Sequence, residues 1–513
     1  MLLALAAILL IPLVGATSAD GVPRLGKKAP PAHGFKGYRV GIAERSINPD
    51  PDGTFAGQPV YLGGYGIGGG SPVFEGRPAT GILGVGPSVR AFAVADRTGS
   101  AFAIADVETQ GWFVATKDGP YGLLDMRKAV EERTGGRLDA ERVVVQTDHS
   151  HAGADTIGVW GGVPVEYRRF IVEQTVDAIV EAYETMRPGR LFYGTAPGAD
   201  LLSNQFDYDE ANGNDVLDSD VRVLQARDDE GEPVATLLNF SAHATVLGSG
   251  NTKISGDWVQ AANPLLEQRF GGEAMTVVGT LGRTQPGDRG CSDPGATGED
   301  AQNLCRLHDY AARVVDRAAD AVAAAEPIAG DIVDARSYLI EDVSSNALIL
   351  GLAYGGEPIG VPINRALTPP WLTGNVLGTV TASARIGDVL LSSGPGEMYP
   401  QIPLKAAEIV PARGYMTAGL ANDQLGYLIA PFEAYPEPIR RSFFNQEGDE
   451  VSPIDNDNYF FNVSHTMGER VTCSLLRGAG EVLGRGLEYR SRYDRCAAFA
   501  NDLLFEHGAD TGF

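Results

Sequence analysis

Basic residues are in short supply: 41 Lys plus Arg stand against 66 Asp plus Glu, a formal net charge of -25 over 513 residues. A surface of that sign repels nucleic acid phosphates, which excludes DNA and RNA as partners, and it gives no electrostatic help toward anionic membranes. Its ordinary role is solubility. Long apolar runs are missing beyond the first residues, so no second membrane segment of ~18 residues exists. No GxSxG elbow and no P-loop lysine occur, which excludes a lipase-type serine hydrolase and phosphoryl transfer. The glycines of Gly63 to Gly70 open no helix and have no acidic partner at dinucleotide spacing. Cysteine is rare too, and close CxxC pairs of the zinc-knuckle type are absent.

The chain opens with an apolar stretch, Leu2 to Val14, followed by small residues at Ala16 and Ala19. That pattern predicts a signal peptide over residues 1–19, a Pro- and Gly-rich linker over 20–37 and one folded domain over 38–513, secreted or extracytoplasmic, the leader removed or kept as an anchor. In an exported chain the four cysteines favour disulfides, and short loop closures predict Cys291 with Cys305 and Cys473 with Cys496, each stapling a surface excursion. Strand and helix patterns alternate from Tyr38 onward. Strands are predicted over Ala91 to Ala95, Ala101 to Val107, Val143 to Gln146, Ala235 to Phe240 and Met275 to Gly279. Helices are predicted over Tyr121 to Arg133, Tyr167 to Met186 (stopped by Arg187-Pro188-Gly189) and Glu299 to Ala325, the last with Leu304, Leu307, Ala311, Val314 and Val315 inward. Beyond about Gly330 the runs shorten and Pro-rich loops such as Leu367 to Trp371 appear. The class is mixed α/β, with a more strand- and loop-rich C-terminal third.

Only seven histidines occur, and two of them fall in Asp148-His149-Ser150-His151 directly after a predicted strand. In an extended segment, residues two apart project to one side, so both imidazoles face one cleft. Two neutral imidazoles near a carboxylate suit zinc with one position left for water. His243 also follows a strand, and Asp257 a little downstream offers a carboxylate behind it. His33, His308, His465 and His507 lie in linker, helix or terminal contexts and take no role. By themselves Glu397 reads as a loop carboxylate and Tyr427 as an ordinary buried or surface tyrosine. Arg283 and Asp288 stand either as a structural pair or as replacements for other groups.

Six segments occur in order, GIAERSINPD with GGYG, then VRAFAVADRTGSAFAIADVETQ, TDHSHAGAD, LLNFSAHATVLGSGNTKISGD, SSGPGEMYPQI and GLANDQLGYLIAPFEAY, spanning roughly Tyr38 to Tyr435. Together they resemble the neutral, non-lysosomal ceramidase family. The resemblance implies a zinc-dependent hydrolase of an amide or ester bond, ceramide-like, with metal-bound water as nucleophile. It implies His149, His243, Glu397 and Tyr427 as metal ligands, His151 as the catalytic histidine and Tyr435 as a hydrogen-bond donor to the developing oxyanion. It also implies a lipid or small-molecule substrate and the N-terminal catalytic domain of the family alone, with peripheral membrane contact left open.

Three stretches differ from the family pattern. Gln285 stands where ceramidases carry the serine of GDxSPN, Asn204-Gln205-Phe206-Asp207 replaces an NRSP stretch and its arginine, and Ile429 and Ala430 replace two threonines. The metal cradle is kept while the groups that meet substrate change. The substrate is therefore left open, and a catalytically silent lipid- or glycan-binding relative is the competing expectation.

Overall fold

The structure, a computed structural model, describes residues 37–65, 76–205, 216–344, 346, 365, 376–429, 461–464, 466–485, 496 and 506–508. The predicted leader, most of the linker, the Leu367 to Trp371 loop and Tyr435 lie outside the described residues.

Eight long strands build a large curved sheet: β1 (Tyr38–Ser46), β2 (Ser88–Ala95), β3 (Ala101–Val107), β4 (Val143–Thr147), β5 (Arg187–Pro197), β6 (Asp220–Arg227), β7 (Pro233–Phe240) and β8 (Glu273–Val278). Their spatial order is β8-β7-β6-β5-β1-β2-β3-β4. The pairs β3/β4 and β7/β8 are parallel and the others antiparallel. Each parallel pair needs a crossover, supplied by helices α1 (Leu123–Arg133) and α3 (Asp257–Phe270). Helices α2 (Val165–Glu184) and α4 (Glu299–Ala323) complete the outer layer. Both edges of the sheet approach one another, since Gln146 on β4 donates Nε2 to the Val278 carbonyl on β8 at 2.6 Å.

Strand β2 is buried along its whole length because both of its faces are covered. Val89, Ala91, Ala93 and Ala95 pack toward α2, whereas Phe92 and Val94 pack toward a second sheet, the alternation a pleated strand imposes. That second sheet contains β9 (Val333–Val343), β10 (Val376–Ile386), β11 (Val389–Ser393) and β12 (Gly414–Ala418). Helices α5 (Gln401–Ile409) and α6 (Met467–Val482) cover its far side. The molecule is thus layered helix, sheet, sheet, helix, a mixed α/β architecture as the sequence pattern predicted.

Several expectations need correction. Arg187-Pro188-Gly189 ends α2 but also opens β5. Leu304 is 40% exposed, while Leu307, Ala311, Val314 and Val315 are buried. Both predicted disulfides are present, but only Cys291–Cys305 lies near the surface. Cys473 and Cys496 sit in an apolar cluster with Leu390, Ala406 and Leu476. No helix among the described residues is long and apolar enough to cross a membrane.

Candidate metal centre

His149 and His243 leave the C-terminal ends of β4 and β7, each a strand of a parallel pair, where α/β sheets open their crevices. His149 takes φ 61°, a left-handed conformation that an L residue adopts at a cost and that gathers at functional sites. The HxH segment is therefore not extended, and strand alternation is not what brings its imidazoles together. They nonetheless meet: ring centroids lie 4.8 Å apart for His149 and His151, 5.2 Å for His149 and His243, and 5.6 Å for His151 and His243. One ligand atom from each of the three lies within 4.8 Å of the others.

Backbone carbonyls orient two of the rings. His149 Nδ1 donates to the Gln110 carbonyl at 2.6 Å, and His243 Nδ1 to the Thr284 carbonyl at 3.0 Å. Both Nε2 atoms then face a single carboxylate. His149 Nε2 is 3.4 Å from Glu397 Oε1, and His243 Nε2 is 3.2 Å from Glu397 Oε2. A tetrahedral shell with bonds of about 2.1 Å has edges of about 3.4 Å, so these separations fit nitrogen and oxygen donors around one cation. Oε2 of Glu397 and both ring nitrogens of His151 are buried with no hydrogen-bond partner among the described residues. Polar atoms shielded in this way fit a bound cation and its water. The donor set, imidazole plus carboxylate with Nδ1–H groups committed to carbonyls, is a zinc-type set.

Glu397 reaches the site by close backbone packing. The two-residue strands Glu397–Met398 and Tyr427–Leu428 pair in parallel with Glu397 opposite Tyr427. At Gly396 a Cβ would lie 2.4 Å from the Gly426 carbonyl oxygen, so only glycine lets the two segments approach. Tyr427 packs with Tyr399 and Ile429 and lines the same cavity as the three histidines. That cavity, of about 280 Å³, also has an apolar wall of Phe113, Ile157, Val159 and Trp160.

Electrostatics divides the buried groups. Burial disfavours ionised Glu397, yet His149 and His243 outweigh it and hold the carboxyl below the usual range. Burial, reinforced by His149 and His243, pushes the His151 imidazole well below its ordinary value, leaving it neutral at pH 7. Behind the histidines, burial raises the carboxyls of Asp106 and Asp148. It also pushes Glu108 up to about 7.

Among the residues singled out from sequence, His149, His151, His243, Glu397 and Tyr427 share one cavity. Asp257 contacts the site only through the backbone, accepting the N–H groups of Val246 and Leu247 just after His243. Asp288 pairs with Arg313 at 3.4 Å, and Arg283 lies over the Tyr399 ring. Sequence reading missed the carbonyls of Gln110 and Thr284, because any residue type presents a carbonyl. It also missed Gly64 and Tyr65, although both belong to the quoted GGYG segment. The Tyr65 ring meets His151 edge-on at 4.6 Å and Arg77 lies over it at 4.9 Å.

A family model described as neutral/alkaline non-lysosomal ceramidase, N-terminal, matches residues 79–340. Neutral ceramidase B of Dictyostelium discoideum is 22% identical over 289 residues, 51% of this chain and 39% of that protein. The neutral ceramidase of Pseudomonas aeruginosa is 27% identical over 135 residues, 24% of this chain and 20% of that protein. The chain thus spans well under half the length of the curated relatives it matches. A crystal structure of neutral ceramidase from Pseudomonas aeruginosa superposes with TM-score 0.65 at 17% identity, covering 93% of this chain and 78% of that one. A ceramidase complexed with C2 gives 0.64 at 17% identity, covering 88% and 76%. Identity at that level speaks for the fold. With more than half of its 513 residues inside the family match and its layers shared with those structures, this chain belongs to the neutral/alkaline non-lysosomal ceramidase family.

Proposed function

We propose that this protein is an exported, zinc-dependent hydrolase that cleaves an amide (N-acyl, ceramide-like) or ester bond, with residues 38–513 acting as one catalytic domain. One observation carries the reading. His149 and His243 present Nε2 to the same buried carboxylate, Glu397, while each Nδ1 is occupied by a backbone carbonyl. His149, His243, Glu397 and Tyr427 would hold the ion. A zinc ion bound there would supply a Lewis acid for the carbonyl and would lower the pKa of water at the site into the neutral range.

The side chains do the rest. His151, neutral and with ring nitrogens that have no partner among the described residues, takes a proton from the attacking water and returns it to the departing nitrogen or oxygen. Tyr435 donates a hydrogen bond to the developing oxyanion. Phe113, Ile157, Val159 and Trp160 receive the acyl chain and exclude water from the reacting carbonyl.

The test is metal content together with turnover of N-acyl lipids, N-acyl amino acids and simple esters, before and after chelation. About one zinc per chain with chelator-sensitive turnover is expected. Bound zinc without turnover on any substrate sinks the hydrolase assignment, and absence of bound metal sinks the ligand assignment.

A further inference from the structure

A single short segment joins the metal centre to an unusual cation. Thr284 orients His243 through its carbonyl, Gln285 lines the cavity, Arg289 lines it as well, and Cys291 closes the segment through its disulfide to Cys305. Arg289 donates Nε to the Pro286 carbonyl at 3.2 Å, Nη1 to the Thr245 carbonyl at 3.3 Å and Nη2 to Gln285 Oε1 at 3.4 Å. All three acceptors are neutral, and no carboxylate among the described residues forms an ion pair with this guanidinium. Three of its five N–H groups are thereby used, leaving two for a ligand.

The surroundings hold that charge in place without pairing a carboxylate to it among the described residues. Arg306 donates Nε to the Arg289 carbonyl at 2.8 Å and Nη1 to the Leu247 carbonyl at 3.1 Å, fixing the backbone on both sides. Asp257, whose carboxyl responds to the Arg289 charge, gives its oxygens to the N–H groups of Val246, Leu247 and Trp258. The other cation at the cavity, Arg365, already pairs with Asp423 at 2.6 Å. Glu397 is the one carboxylate among the described lining residues, and it is bracketed by His149 and His243. Gln285, standing at the family's serine position, accepts both the Thr245 hydroxyl at 2.8 Å and the Arg289 guanidinium. The change at that position and the cation are thus one network.

We infer that Arg289 is an anion-recognition residue and that the substrate class is an N-acyl amino acid. Its acyl chain lies along Phe113, Ile157, Val159 and Trp160, and its carboxylate meets Arg289 in a charge-assisted hydrogen bond. This rests on the amide-hydrolase reading above. The C–N bond breaks, the water oxygen joins the acyl carbon, and the amine leaves with a proton, giving a fatty acid and a free amino acid.

The test compares N-lauroylglycine with N-lauroylglycinamide, which share the acyl chain and the scissile amide and differ in charge, on the zinc-loaded full chain. The acid is favoured in kcat/KM by about tenfold or more, mainly through KM, the size of one charge-assisted contact. In Arg289→Gln that ratio falls toward one, and Arg289→Lys keeps part of it. Because the ratio is read on a single preparation, a lower folded fraction cancels. Equal rates for the two substrates, or a ratio that survives in Arg289→Gln, overturns the inference. Should neither amide be cleaved, the hydrolase reading fails by itself, and calorimetric titration with N-lauroylglycine reads the subsite directly. Binding weakened about tenfold by Arg289→Gln upholds the anion site, and an unchanged Kd rejects it.

Discussion

The two sheets bring their groups to the cavity by different means. On the large sheet, His149 and His243 follow fully or nearly fully buried strands, and carbonyls from other segments fix the ring orientations. On the side of the second sheet, Glu397 and Tyr427 rest on a two-residue strand pair that glycines allow to close. The first arrangement places strain and orientation on the histidines themselves. The second stores its precision in backbone packing around Gly396 and Gly426. The two halves also treat buried carboxyls oppositely: Glu397 is held ionised by imidazoles, whereas Asp106, Glu108 and Asp148 are pushed toward the neutral form.

Removing a proposed ligand from either half tests whether both are needed. His149→Ala and Glu397→Ala are each expected to lose stoichiometric zinc and to drop turnover by more than about 100-fold, beyond the loss typical of groups that only orient ligands. Metal analysis and kcat/KM on matched preparations check this. Retained zinc in Glu397→Ala would assign the ion to the three histidines, whose ligand atoms already converge.

Gly64→Ala sharpens the comparison within the histidine half. Gly64 has φ +88°, and a Cβ there would lie 2.2 Å from the His151 ring. The imidazole must shift, and a displacement of about 1 Å costs on the order of 100-fold in rate. Zinc content is expected to stay at one per chain, because His149, His243 and Glu397 are not touched. Loss of metal together with rate would place His151 among the ligands instead.

The difference between the halves also explains what could be read from sequence. Ala101–Val107 has the predicted bounds, and α2 and α4 fall within two residues of theirs, because each has a clear apolar period. Helix α6 carries an apolar stripe of its own, Met467, Val471, Leu475, Ala479 and Val482 at helical spacing. But Gly468, Gly478 and Gly480 lower its helix propensity, Glu469, Arg470, Thr472 and Ser474 are buried beside the stripe, and the sequence pattern beyond Gly330 predicts no helix there. Helix α3 carries Pro264 inside it, which reads as a break. The histidines stood out because strand ends and rarity marked them. Glu397 and Tyr427 sit on strands too short to show any period, and only the resemblance of their segments to a family singled them out. Arg289 was invisible for a further reason, since having no acidic partner among the described residues is a property of three-dimensional neighbours.

The smallest effect concerns the raised carboxyls behind the histidines. Burial drives Glu108 up to about 7 from its ordinary 4.5, and the Ser88 N–H and Arg90 only partly offset it. Between those values the folded chain holds a proton that the unfolded chain releases, so stability falls as pH rises through the window. Above it the folded state bears the whole penalty, and below about pH 4.5 it bears none. Glu108→Gln removes the titration while keeping an acceptor for the Ser88 N–H, now 2.9 Å from the carboxylate. The variant should therefore be the more stable protein at pH 8, by about 2 to 3 kcal/mol, and the gap should close as pH falls toward 5. Denaturant unfolding at both pH values reads it. A gap of the same size at pH 5 and pH 8 would mean that Glu108 is not held protonated by its burial, and the contrast between the two halves would then rest on geometry alone.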